Sequence, residues 1–422
     1  MRRNPLMFSI IIISIILIVD AYAFKGLKQL LQNTPLKIKY LWYTLYWTLT
    51  VMLLIWFGLL MYYQPLWVKS NKFYYVWYFI GAFMLIYLPK LTFISFHLLE
   101  DIVKLVTKLF AMPFSDTSVV AQTSEKMSRS SFLTKMGLVL SAIPFAAVAW
   151  GITRGKFNWT VNNLKMKFPN LPDGFVGLKI LQISDIHIGS FSPSGKDEVR
   201  EGIEKINEQN ADIVVFTGDL VNNVTAEIDD EWVDIFSKIK AKVGKYSILG
   251  NHDYGDYWQW ENAEAKQENL RQIEVRHEQM GFKLLKNANV KMKSGNDEIA
   301  IIGVENWGLP PFPQYGKLSK ALEGCENTAF KVLLSHDPTH WDEEVAGKTN
   351  IDLTLSGHTH GMQFIIKVGN LNWSPIKWKY KRWEGLHKHD NQYLYINIGF
   401  GYIAFPGRVG APPDITVFEL TK

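Results

Sequence analysis

Hydrophobic and polar positions split the chain into two regimes near residue 153. Before it, long apolar stretches recur; after it, short apolar runs alternate with amphipathic segments. The stretches 7–24, 41–63, 73–99 and 132–152 each approach or exceed the roughly 20 apolar residues that a bilayer-crossing helix needs. Asp20 is the one polar break in the first, and the second carries no charge and ends in aromatics. The third contains Pro89-Lys90, which predicts a kink or an exit from the bilayer there. Trp and Tyr edge these stretches, as they do at membrane–water boundaries. Segment 102–114 sets Lys104 and Lys108 among apolar residues, the pattern of a helix lying flat in the interface, and a polar Ser/Thr-rich linker fills 115–131. The pattern therefore predicts a multi-pass transmembrane region of about four helices over residues 1–153.

A polar and aromatic lead-in follows over 154–177. From 178 the runs become regular. Strands are expected at 178–183, 212–217, 245–249, 298–304, 331–334, 352–355, 393–398 and 415–420, and amphipathic helices at 196–209, 230–243 and 260–280. The early part alternates β and α, which implies a parallel core; the later part is richer in strands. Two packed sheets with helices outside, an α/β sandwich over 178–422, satisfy both halves. In such folds, sites collect beyond the carboxyl ends of the strands. Gly189 and Gly195-Lys196 resemble a phosphate loop, but their spacing is wrong and Asp197 replaces the required hydroxyl, so this reads as a helix start.

Composition sharpens this picture at a few points. The 422 residues are 48% hydrophobic and 14% aromatic, rich for a soluble protein, and the net charge of +5 does not argue for nucleic acid. Cys325 is the only cysteine, so an internal disulfide and a zinc–thiolate cluster are both excluded. Any metal must be held by oxygen and nitrogen donors, which suits manganese, iron or zinc. Lys25, Lys28, Lys37 and Lys39 follow the first span, and Lys104, Lys108, Lys126 and Arg129 follow the third. The opposite side has Arg2, Arg3, Lys69, Lys72, Arg154 and Lys156. This balance places the lysine-rich loops in the cytoplasm and the C-terminal domain outside the plasma membrane, although Arg2 and Arg3 pull the other way.

Candidate chemistry falls where apolar runs give way to loops. The fragments are Ser184-Asp185-Ile186-His187, Thr217-Gly218-Asp219, Gly250-Asn251-His252-Asp253, Ser335-His336-Asp337 and Ser356-Gly357-His358-Thr359-His360-Gly361. Asp185, His187, Asp219, Asn251, His336, His358 and His360 are more donors than one cation uses. A bridging carboxylate would let them serve two cations about 3.5–4 Å apart, which lower the pKa of an attacking water and clamp phosphoryl oxygens. His252 is then free to protonate a leaving oxygen, with Asp253 expected to orient it.

The ordered set D-x-H, G-D, G-N-H-D, S-H and G-H-T-H resembles the calcineurin-like metallophosphoesterases, in particular their membrane-attached bacterial branch and the similar transmembrane proteins with a metallophosphoesterase domain. The resemblance runs from Leu178 to the C-terminus. It implies a four-layer α-β-β-α metallophosphoesterase sandwich behind the N-terminal helical transmembrane region. It also implies Asp185, His187 and His360 on a first metal, Asn251, His336 and His358 on a second, Asp219 bridging, and His252 as acid or phosphate contact. The chain departs from the family twice. Leu220-Val221-Asn222-Asn223 stands where protein phosphatases carry an acidic-Arg-Gly extension, which argues against that activity. Met362 stands where this branch usually has a second glycine.

Arg408, in a Gly-rich turn before the last strand, is a candidate contact for a substrate phosphate. The stretch 373–383 alternates basic and aromatic residues, a pattern suited to an anionic lipid surface, to nucleic acid, or to an ordinary solvated hairpin. The expected function is hydrolysis of a phosphodiester or pyrophosphate, with a lipid or envelope precursor suggested by the membrane anchor and membrane lipids as partners. The rival readings are a metal-binding membrane sensor and a nuclease of the same fold.

Overall fold

The computed structural model describes residues 5–63, 73–110, 129–192 and 195–422 and divides into two units, 1–150 and 151–422. Most of the expected 115–131 linker lies outside the described residues.

The first unit holds helices α1 (Pro5–Leu30), α2 (Leu36–Tyr62), α3 (Tyr74–Phe110) and most of α4 (Arg129–Thr153). Four segments within them, Ser9–Leu30, Leu36–Tyr62, Tyr74–Val103 and Phe132–Thr153, are long and apolar enough to cross a membrane. Residues 102–110 of the expected interfacial segment continue α3, which runs through Pro89 without ending, and 111–114 lie outside the described residues. Ile16, Leu53, Phe57, Leu60, Phe79 and Tyr87 pack together between α1, α2 and α3. One polar knot sits among them. The buried carboxylate of Asp20 pairs with the ammonium of Lys90 and accepts from Tyr46 at 2.9 Å, Thr50 at 2.8 Å and Tyr87 at 2.7 Å. A charge in so apolar a place is tolerable only when paired and fully hydrogen-bonded.

The second unit is built on two six-stranded sheets. The first has the order β1 (Thr160–Lys167), β14 (Asp414–Thr421), β2 (Lys179–Ile183), β3 (Ile213–Phe216), β4 (Gly244–Ser247) and β5 (Lys283–Leu284), with β2 to β5 parallel. The second runs β12 (Gly385–His389), β13 (Gln392–Ile396), β9 (Leu353–Ser356), β8 (Phe330–Leu334), β7 (Asp297–Gly303) and β6 (Ala288–Ser294), with β13, β9, β8 and β7 parallel. Alternation along each strand assigns the layers. Ile180, Ile213, Val215 and Phe418 of the first sheet meet Ile299, Ile301, Phe330, Val332, Leu353 and Leu355 of the second in one buried core. The opposite faces carry the helices. Leu181, Val214 and Phe216 pack on α5 (Lys196–Glu208), α6 (Asp230–Ser237) and α7 (Ala263–Gln279), and Ile302, Leu333 and Ile396 pack on α8 (Leu318–Leu322) and the turn Trp341–Val345. The result is the expected four-layer α-β-β-α sandwich.

Two expectations need correction. The lead-in placed at 154–177 contains β1, paired in parallel with β14 over its whole length. The helix expected over 230–243 ends at Ser237.

The knot at Asp20 gives a test of the helical unit. Asp20→Ala strands a largely buried lysine, 13% exposed, and is expected to cost about 3 kcal/mol, whereas Asp20→Leu with Lys90→Met recovers most of the loss. Thermal unfolding of the purified full chain in detergent distinguishes the two.

Candidate metal centre

Every donor singled out from the sequence lies just past the carboxyl end of a parallel strand. Asp185 and His187 follow β2, Asp219 follows β3, Asn251 follows β4, His336 follows β8, and His358 and His360 follow β9. Because the two sheets face each other, these ends open on one place. Asp185, His187 and His360 form one group whose ligand atoms all lie within 4.8 Å of one another; Asp219, His336 and His358 form a second.

Several of these loops are forced into the left-handed backbone region. Asp185 has φ 52°, His187 50°, Asp219 62°, His358 74° and His360 51°. Asp and His tolerate this region better than most residues, and such strain gathers at functional sites. Met362, where the resemblance calls for glycine, also takes φ 50°. Gly357 is needed for a different reason: a side chain there would run into Ser184 and the Asp185 carboxylate.

The tautomers follow from the outer hydrogen bonds. His336 Nδ1 meets the Thr217 carbonyl at 2.7 Å and His187 Nδ1 meets the Val221 carbonyl at 3.2 Å, so both nitrogens donate. Their Nε2 atoms therefore face inward. His336 Nε2 lies 3.1 Å from Asn251 Oδ1, 3.1 Å from Asp219 Oδ2 and 3.3 Å from His358 Nδ1. His187 Nε2 lies 3.1 Å from His360 Nε2 and 3.5 Å from the same Asp219 oxygen. His360 Nε2 lies 3.2 Å from Asp185 Oδ1. Asn251 cannot offer a proton here, because its Nδ2 donates to the Tyr257 hydroxyl at 2.9 Å. Nitrogen and oxygen donor atoms thus converge in two groups beside Asp219 Oδ2, a donor set that fits metal ions held by nitrogen and oxygen.

Burial disfavours charge on Asp185 and Asp219, but the surrounding imidazoles outweigh it and both carboxyls stay well below the usual carboxylate range. Burial likewise keeps His187 neutral. His336 goes the other way: burial opposes its charge, yet Asp219 and Asp185 raise it to about 10. The raised value favours a proton on His336, paired with Asp219, whenever no cation is bound.

Behind the donors stand groups that sequence reasoning missed. His358 Nε2 lies 2.6 Å from the Tyr380 hydroxyl and 3.5 Å from Asp337 Oδ2. With Nδ1 turned to the second cation position, Nε2–H donates to this pair, as outer partners of metal-bound histidines do. Tyr380 and Trp383 are buried, so part of the basic-aromatic stretch is packing beside the site rather than free surface.

Two expected roles change. Asp253 does not orient His252. Its carboxylate accepts from the backbone amides of Asp219 at 2.9 Å, Leu220 at 2.8 Å, Val221 at 3.3 Å and Gly250 at 2.9 Å, tying two ligand loops together. Burial and the nearby Asp219 charge push Asp253 up to about 7, against the pull of those amides. His252 is held instead by the Asn222 carbonyl, 2.7 Å from Nδ1. Arg408 is not a surface contact for substrate. It is 1% exposed, and its guanidinium is saturated by the carbonyls of Gly401 at 2.7 Å, Ala411 at 3.2 Å and Ile398 at 2.8 Å. The same guanidinium donates at 3.3 Å to His360 Nδ1. A loop that looked like a phosphate clamp thus positions a donor histidine.

A cleft of about 290 Å³ opens onto the centre, lined by Asp219, Asn251, His252, Tyr257, Phe312, His358, His360 and Ile403. His252 is half-buried at its edge.

A metal ion taken up against His336 Nε2 would displace its proton. The sign is fixed: a raised histidine stabilises the metal-free fold below pH 6.5 and loses that contribution as pH rises through about 10. Apparent affinity for Mn²⁺ or Zn²⁺ is therefore expected to rise with pH between about 6 and 9, with about one proton released per chain. Calorimetry in buffers of different ionisation enthalpy measures this. Tyr380→Phe, which removes the hydroxyl from His358, is expected to weaken metal binding or turnover by about 10- to 100-fold without loss of folding.

Comparison with known proteins agrees with this geometry. Residues 2–156 match the family profile described as "Probable Calcineurin-like phosphoesterase, transmembrane domain", and residues 178–362 match "Calcineurin-like phosphoesterase". A Bacillus subtilis protein named uncharacterized metallophosphoesterase YkuE is 31% identical over 70% of this chain and 98% of its own length. A Danio rerio transmembrane protein with metallophosphoesterase domain is 26% identical over 71% of this chain and 65% of its own. A chain whose four apolar helices precede a sandwich that brings two donor groups together is thus matched over residues 2–156 and 178–362, and it belongs to the calcineurin-like metallophosphoesterases, hydrolases of phosphoric esters, in a form that carries its own transmembrane domain.

Proposed function

We propose that this protein is a plasma-membrane phosphoesterase that uses two divalent ions to hydrolyse a phosphodiester or pyrophosphate carried by a lipid or an envelope precursor, with its catalytic domain outside the cytoplasm. The observation that carries the reading is the sharing of Asp219 Oδ2 between His336 Nε2 at 3.1 Å and His187 Nε2 at 3.5 Å. Asp185, His187 and His360 would hold one ion, Asn251, His336 and His358 the other, with Asp219 between them. Manganese, iron or zinc suits that donor set. Such ions would supply Lewis acidity to the phosphoryl group and activate the attacking water.

The chain's own residues do the rest. Asp253 fixes the Asp219–Val221 and Gly250 backbones and so fixes where Asp219 and Asn251 point. His252 donates Nδ1–H to Asn222, so on a doubly protonated ring Nε2–H is the proton that passes to the departing oxygen, leaving a neutral imidazole. Its backbone amide also donates to Asp219 Oδ1 at 2.9 Å, so the proton donor and the shared carboxylate move as one piece. The lipid preference rests on the transmembrane domain, which keeps the cleft in the company of a bilayer, and the sidedness rests on the lysine balance of the loops.

Leaving-group dependence tests the role of His252. In the purified full chain with Mn²⁺, His252→Ala is expected to slow hydrolysis of an alkyl phosphodiester by about 10²- to 10⁴-fold and that of a p-nitrophenyl diester far less, because nitrophenolate departs without a proton. Metal content should not change. Equal, undiminished turnover of both substrates would remove His252 from the chemistry and favour a metal-holding sensor.

A further inference from the structure

The strands β10 (Ile366–Val368) and β11 (Leu371–Trp373) form a two-stranded antiparallel sheet of their own. Ile366 pairs with Trp373, Lys367 with Asn372 and Val368 with Leu371. Side chains alternate along a strand, and paired residues share a face. Ile366, Val368, Leu371 and Trp373 therefore all lie on one face. In a soluble hairpin that face would be the one turned to a core. Here Val368 is 68% exposed, Leu371 56% and Ile366 38%. The turn Pro375–Trp378 extends the surface: the Trp378 ring lies 5.6 Å from that of Trp373 and is 80% exposed. Lys377, Lys379 and Lys381 are exposed alongside, and among the described residues none of them makes an ion pair. The Lys379 ammonium lies 4.6 Å from the ring of Phe312, which lines the cleft.

An exposed aliphatic and Trp face flanked by unpaired lysines has the composition of a membrane-interface element facing anionic lipid. The same chain carries four helices able to cross a membrane, so a bilayer is a permanent neighbour. Two residues beyond Trp378, the Tyr380 hydroxyl touches His358. The apolar surface and the metal centre are thus parts of one segment.

We propose that this hairpin face docks on an anionic bilayer, with Val368, Leu371 and Trp378 in the boundary between head groups and acyl chains and Lys377, Lys379 and Lys381 on lipid phosphates. The inference rests on the reading of the cleft as a phosphoesterase site and deepens it: docking beside Phe312 and His358 selects substrates that reside in the membrane.

A fluorescent label tests the docking without any turnover. Cys325 is 1% exposed, so Val368→Cys in the full chain can be labelled selectively with an environment-sensitive dye. Reconstituted in phosphatidylcholine nanodiscs with and without phosphatidylglycerol, the label should emit to the blue and be quenched by nitroxides on lipid acyl chains, more so with phosphatidylglycerol. Combining Val368→Asp, Leu371→Asp and Trp378→Asp should slow hydrolysis of a vesicle-borne phosphodiester by about tenfold or more, while turnover of a soluble diester, which also reports correct folding, stays unchanged. Water-like emission would overturn the proposal. So would blue emission that lipid quenchers do not reach, since protein would then cover the face. A docked label on a chain inactive toward every phosphoester would sink the functional reading alone, and a water-exposed label beside intact hydrolysis would sink the docking alone.

Discussion

Lone pairs brought face to face inside a protein repel unless something positive lies between them, and the second unit is arranged around that problem. Imidazole nitrogens of His187, His336, His358 and His360, carboxylates of Asp185 and Asp219, and the amide oxygen of Asn251 all aim inward at mutual distances of 2.7–3.5 Å. Left without cations, the arrangement would relax by rotating rings or opening loops. It is held by bonds on the far side of each donor: Thr217 and Val221 carbonyls behind His336 and His187, Tyr380 behind His358, Arg408 behind His360, and Tyr257 behind Asn251. Cations would supply that positive charge, and the carbonyls behind His187 and His336, with Tyr380 behind His358, turn one nitrogen of each of these rings inward to receive it.

The sandwich supplies the energy for this preorganisation. Five donors sit in left-handed backbone, each at a cost of order 1–3 kcal/mol, less for Asp and His than for other residues. That cost is offset by the inner core, where Ile180, Ile213, Phe330, Val332, Leu353 and Phe418 are fully buried. Because the strands are rigid and their ends coincide, loops of only a few residues suffice to carry the donors. Asp253 then couples two of these loops through four amides, so the geometry on one side of Asp219 constrains the other.

The donors were legible in the sequence because each follows a short apolar run, and a buried strand ending in Asp, Asn or His has few structural explanations. Their partners were not. Tyr380 lies 22 residues beyond His358 and reaches it only through packing with Trp383 and Ile398. Arg408 looked like a phosphate ligand because its flanking glycines suggested an open turn, whereas the crown of carbonyls that buries it forms only when residues 398–411 fold back. Strand β1 went unread because it is an edge strand, paired only with β14 and half exposed, so polar residues fill positions that a central strand would give to valine or isoleucine. In the helical unit, length and hydropathy were sufficient to place the spans, but the bond of Asp20 to Lys90 joins residues 70 apart and leaves no local trace.

The central claim concerns occupancy, and anomalous diffraction from crystals of the full chain grown with Mn²⁺ reads it directly. The account predicts two peaks about 3.5–4 Å apart on either side of Asp219 Oδ2, one against Asp185, His187 and His360 and the other against Asn251, His336 and His358. A single peak, or peaks that leave Asp219 without a metal, would contradict it.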